Sequence, residues 1–139
     1  MIRHAVIADI PVIVRMGRAF HAMSPHRTMG EYNDEAIAAL LTHLIADDSG
    51  LLLVNETGMI GGKMSPIYFD PTKQVMEEMF WYANGGGREL LMEFIERAKA
   101  MGASCILLSA LMDARLSRTN QIVTGMGFRP TECRYVMEF

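Results

Sequence analysis

The chain has 139 residues, half of them hydrophobic and 21% charged, with a formal net charge of −3. That balance suits one globular domain with a real core, and without a Lys/Arg run no nucleic-acid partner is expected. The opening MIRHAVIADI lacks a basic stretch leading into a long apolar run. No segment approaches the roughly 20 apolar residues of a membrane span, so a cytoplasmic protein without a membrane partner is expected. Cys105 and Cys133 show no C-x-x-C spacing and read as buried thiols in a reducing compartment. No grouping of His, Cys, Asp and Glu has metal-ligand spacing, so no metal is expected, and the 13 methionines read as core filler.

In chain order, residues 2–6 form a short apolar run and a first strand. Asp9 is placed to cap a helix, with Pro11 in the first turn and apolar residues continuing at helical spacing to Met23. The segment SPHRTMGEY is a loop. Asn33 caps a second helix, whose Ile37, Leu40, Leu41, Leu44 and Ile45 fit the i, i+3, i+4, i+7, i+8 pattern. LLLV, the turn NETG and MIGGKMS form a β-hairpin, with Gly61 and Gly62 marking a bulge or a close backbone approach. A central strand over 74–83 runs through NGGG into an amphipathic helix that ends at Gly102, with Glu93 and Arg97 as an i,i+4 pair. A buried strand over 104–109, a short helix over 117–125 and strands over 127–129 and 133–139 complete the chain. The expected fold is mixed α/β, with a mostly antiparallel sheet flanked by helices.

The chemistry concentrates at the strand–glycine–helix junction. Gly85, Gly86 and Gly87 permit backbone angles closed to other residues, and the following helix start aims several amide N–H groups at one point. Such a junction suits a phosphate, and Arg88 adds positive charge at its rim. No Gly-Lys-Ser/Thr follows, so a nucleotide P-loop is excluded. The dinucleotide pattern G-x-G-x-x-G is met only in its first half, because Leu90 holds the third glycine position. Asp113 is spaced to hold a ribose, which leaves a nicotinamide-dinucleotide site as one alternative.

With these residues in view, the chain resembles the GNAT acetyltransferase superfamily over almost its whole length. FWYA-NGGG-RELL is similar to that family's central strand, its Gln/Arg-x-x-Gly-x-Gly/Ala turn and the start of its helix. IVTGMGF resembles the family's LYEKLGF-type ending. The resemblance implies acetyl-CoA as cosubstrate and direct transfer of the acetyl group to an amine of a small molecule or protein. It assigns the backbone of Trp81, Tyr82 and Ala83 to the pantetheine arm, and Asn84, Gly85, Gly86, Gly87 and Arg88 to the pyrophosphate. Asn120 on the last helix is assigned to the coenzyme as well. A homodimer is compatible with the resemblance. Three departures stand out. Tyr82 replaces the family's Gln or Arg, the loop between Ala83 and Gly85 is several residues shorter, and Val123 holds the place of a tyrosine that protonates the leaving thiolate. These departures keep a non-catalytic acyl-CoA-binding or sensing module as the main alternative.

An alkylammonium with a pKa near ~10.4 needs a base or a water relay at neutral pH. Glu77 and Glu78 lie on the central strand, which sends them to opposite faces, so one of them can face the acceptor. Tyr135 or Ser117 stands in as proton donor. The loop after the first helix, with His21, His26, Arg27, Glu31 and Tyr32, is expected to line the acceptor site.

Overall fold

Residues 1–139 are described by a computed structural model. The hairpin expected from LLLV-NETG-MIGGKMS forms from β2 (Gly50–Val54) and β3 (Gly58–Ile67), and β3 pairs along most of its length with β4 (Asp70–Ala83). A two-residue β1 (Arg3–His4) adds antiparallel to β2. On the far side β5 (Cys105–Leu107) adds parallel to β4, so the strand order is β1-β2-β3-β4-β5. Both faces of the sheet are covered, which is why LLLV is apolar without alternation. Leu52 and Val54 join Ile13, Val14 and Leu41 from α1 (Ile10–Met23) and α2 (Asp34–Ala46). Leu51 and Leu53 face Leu90, Leu91, Phe94 and Ala98 of α3 (Gly87–Ala100), together with Val123 of α4 (Leu116–Gly125).

Local signals hold where short-range physics governs them. The Asn33 side chain accepts from the Ala36 N–H at 2.9 Å, Gly102 ends α3 at φ 99°, and Arg97 pairs with Glu93 at 2.7 Å. The bulge falls where the paired glycines placed it: Gly61 opposes Phe80 while Gly62 opposes Glu78, so Met79 is the extra residue. A β-carbon on Gly61 would collide with the Phe80 ring, and one on Gly62 would sit 2.6 Å from the Glu77 carbonyl.

Several expectations are corrected. The strands over 127–129 and 133–139 do not form; the chain after α4 has no ladder partner, and Tyr135 and Phe139 stand in solvent. The strand over 104–109 shrinks to three residues because nothing covers its outer edge. Cys105 and Cys133 are therefore exposed rather than buried. The first strand keeps only its central pair. Asp9 does not cap α1; its carboxylate accepts from the Val6 N–H at 2.8 Å and pairs with Arg3 at 2.7 Å. Residues 25–28 of the expected loop close a short 3-10 turn.

Candidate active site

β4 and β5 pair only over Val75–Glu77 and Cys105–Leu107. Beyond that point β4 runs on to Ala83 while the chain after Leu107 turns away, so from Glu78 onward β4 has a ladder on its β3 side alone. A cleft of about 1210 Å³ opens at this divergence. It is floored by Glu77, Glu78, Met79, Trp81 and Ala83, closed at one end by Gly85, Gly86, Gly87 and Arg88, and bounded at the other by Phe20, Ser24 and His26.

At the glycine end, Gly85 has φ 125° and Gly86 has φ 67° and ψ 20°, both in the range that favours glycine. Gly86 is the N-cap of α3, and no side chain caps that helix. The first-turn amides therefore face the cleft rim with the positive end of a 14-residue helix behind them. The turn is braced from behind: Asn55 Nδ2 donates to the Gly85 carbonyl at 3.3 Å, and the Asn84 N–H donates to the Thr57 carbonyl at 3.0 Å. The Trp81 indole N–H donates to the Gly87 carbonyl at 3.1 Å, fixing the helix start to the central strand. A β-carbon on Gly86 would lie 2.8 Å from Asn55 Nδ2.

At the centre lies Glu78, only 9% exposed. Its carboxylate accepts from the Ser109 N–H at 3.1 Å, across the mouth where β4 and β5 part. Burial pushes the carboxyl up to about 7, the Ser109 hydrogen bond opposes that, and the neighbouring Glu77 charge adds a smaller upward push. Glu78 is thus poised to exchange a proton near neutral pH. Glu77 stands opposite Lys63 in the ladder and is exposed at the margin of the cleft, where Lys63 meets Asp47 of the α2 C-cap at 3.3 Å.

The sequence matches no protein-family profile and no curated protein. Solved structures share its fold from end to end. A transcriptional regulator from Bacillus halodurans C-125 is 20% identical, with all of this chain and 99% of that one covered at a TM-score of 0.75. A ribosomal-protein-alanine N-acetyltransferase from Brucella melitensis biovar Abortus 2308 is 13% identical at 0.68, again over all of this chain and 99% of that one. An acetyltransferase from Trypanosoma brucei is 12% identical at 0.69, with the same coverage. The chain has the GNAT fold. Its sheet has a single parallel pair, β4–β5, which is not the repeated βαβ array of a dinucleotide-binding fold.

On this GNAT fold, the glycine turn, Arg88, both glutamates, Trp81 and Ala83 come together around one cleft. Tyr82 points away from it into the α1/α2 core, as strand alternation requires. Asn120 is exposed outside the lining, while Arg118, Thr119 and Gln121 on the same helix contribute to it. Tyr135 is 95% exposed and is not part of the cleft lining, although its neighbour Arg134 is. Val123 is buried against the α3 core. Sequence reasoning missed Ser109, whose backbone N–H holds Glu78, and Arg115, whose guanidinium lies 5.5 Å from the Tyr82 ring centroid. A backbone donor leaves no residue-type signal to find.

Proposed function

We propose that the protein transfers an acetyl group from acetyl-CoA directly to an amine. The observation carrying this reading is that an uncapped, glycine-built helix start and a buried carboxyl titrating near 7 open onto one cleft. The fit to the coenzyme is steric as well as electrostatic. Positive φ at Gly85 and Gly86 brings bare backbone to the rim, where the amides of Gly87 and Arg88 would take the pyrophosphate and the Arg88 side chain would add its charge. The one-sided ladder of β4 offers backbone groups near Trp81 and Ala83 to an extended pantetheine arm.

Glu78 is the base of choice. A carboxyl near 7 is half ionised at neutral pH, which balances availability against proton affinity. It would take one proton from the ammonium and so free the nitrogen lone pair. The amine then attacks the thioester carbonyl, the C–N bond forms, and the C–S bond breaks with its electron pair leaving on the thiolate. The second nitrogen proton passes to the thiolate or to water. Backbone N–H groups at the open edge of β4 would stabilise charge on the acyl oxygen. A thiolate with a pKa near ~8.5 leaves without obligatory proton donation, so Val123 at the usual tyrosine position is compatible with turnover. The exposed thiols Cys105 and Cys133 suit a reducing compartment, the cytoplasm.

Burial of Val123 in the core also favours a second reading, in which the cleft binds acyl-CoA without turning it over. Thermal unfolding with acetyl-CoA, CoA and NAD, followed by thiol release across an amine panel, separates these readings. A ligand at ~100 times its dissociation constant adds about 2.7 kcal/mol. A folded sample indifferent to both CoA species would sink the transfer reading and the sensor reading together.

A further inference from the structure

Behind the wall of the main cleft, on the α1/α2 side of β4, lies a second cavity of about 280 Å³. The two spaces share Phe20, Ser24, His26 and Met79, so the cavity continues the cleft rather than standing apart. Their chemistries differ sharply. Glu77, Glu78, Glu89 and Asp113 line the cleft along with arginines, whereas the cavity has no Asp, Glu, Lys or Arg in its lining, and nine of its 13 residues are hydrophobic. Ile37 and Leu40 of α2 face Met59 and Phe80 of the ladder across it.

The cavity's polar side chains are His21, Ser24, His26 and Tyr32, and none of them is a carboxylate. The Tyr32 hydroxyl donates to the Val14 carbonyl at 2.8 Å, and burial raises the pKa of that phenol and keeps it neutral. The Ser24 hydroxyl oxygen accepts from the His26 N–H at 3.0 Å. Gly17 makes the wall possible, since a β-carbon there would collide with the Tyr32 hydroxyl. An ammonium placed here would meet no carboxylate, and a polyhydroxylated ring would find only the His21 and His26 imidazoles and the Ser24 hydroxyl for its several hydroxyls. An apolar group would lose only unfavourable contact with water.

We propose that the acceptor is a primary amine carrying a compact aryl or branched alkyl group, with that group seated in this cavity and the amine directed into the carboxylate-lined cleft. The amine's fate rests on the acetyl-transfer reading, whereas the apolar occupant follows from the lining alone. Polyamines and amino sugars are disfavoured, because the cavity supplies no countercharge for a second ammonium. A free arylalkylamine and an aromatic residue's α-amine share this chemistry, and 2-phenylethylamine and L-phenylalaninamide distinguish them.

The test uses the full chain with 2-phenylethylamine, L-phenylalaninamide, spermidine and ethylamine. Calorimetric binding is measured with and without acetyl-CoA, and thiol release gives kcat and KM. The expected result is a kcat/KM for one of the aryl amines roughly 100-fold above that for spermidine. Leu40→Trp should raise KM for that aryl amine at least ~10-fold more than for ethylamine, and Leu40→Glu should shift preference toward spermidine. Equal or better use of spermidine by the unmodified protein overturns the proposal, as does a Leu40→Trp effect of the same size on aryl amine and ethylamine. Should acetyl-CoA not bind, the transfer reading fails separately and calorimetry decides the cavity. Aryl-amine binding lost in Leu40→Trp then sustains the apolar site, and no aryl-amine binding removes it.

Discussion

On β4, Glu78 is buried with a single backbone N–H as its hydrogen-bond partner, while one residue earlier Glu77 is exposed opposite Lys63 in the ladder. The two are chemically identical and adjacent in the chain. What separates them is the pleat, which sends them to opposite faces, and the parting of β4 from β5, which starts where Glu78 begins. Environment rather than residue type makes one of them a candidate base. The same strand therefore carries a proton-exchanging group and a surface charge at neighbouring positions.

The sharpest way to break this comparison is activity. Glu78→Gln should lower kcat by about 10²–10⁴, the ordinary worth of a general base, whereas Glu77→Gln should stay within a few-fold of the parent. Equal losses in thiol release would remove the distinction. With the parent protein, kcat/KM should rise with pH and level off above about 7, as Glu78 loses its proton. A profile flat between pH 6 and 8, at about the same rate, would show that another group governs the reaction.

Stability should respond in the opposite sense. Glu78 in the folded protein holds its proton up to about pH 7, whereas the unfolded chain releases it near 4.5, so native stability should fall as pH rises between those values. The difference corresponds to roughly 3 kcal/mol. Glu78→Gln keeps the acceptor for Ser109 and removes the buried charge. Urea unfolding should find the variant close to the parent at pH 4.5 and more stable by up to that amount at pH 8. A variant less stable at pH 8 would contradict a buried, desolvated carboxylate.

Smaller effects test the geometry that keeps the two faces distinct. Gly62 opposes Glu78 at the bulge, and a β-carbon there would press on the Glu77 carbonyl and, at 2.8 Å, on Phe94. Gly62→Ala should cost ~1–3 kcal/mol by denaturant unfolding and blunt the contrast between the glutamate variants. Gly86→Ala should cost ~1–2 kcal/mol, because its left-handed conformation suits only glycine, and should weaken acetyl-CoA binding in calorimetry. Unchanged affinity would detach the glycine turn from the coenzyme.

Much of this architecture is written locally. The Asn33 cap, the Gly102 stop, the apolar period of α2 and the paired glycines of β3 act within a few residues, and each appears as read. The terminal strands do not. Residues 133–139 have strand-like composition, yet a strand needs a neighbour, and composition does not supply one. Cys105 failed for the same reason: its burial depended on a strand beyond β5 that does not form.

The site divides along the same line. The sequence by itself determined the glycine turn, because positive φ at Gly85 and Gly86 and a following helix start are properties of contiguous residues. It narrowed the base to two neighbours and went no further. Only the tertiary structure distinguishes them, since it buries Glu78 and holds it through the Ser109 N–H 31 residues away, while Glu77 is left exposed. The apolar cavity is likewise a product of packing, assembled from α1, α2 and the β3–β4 ladder, segments that meet only when the chain folds.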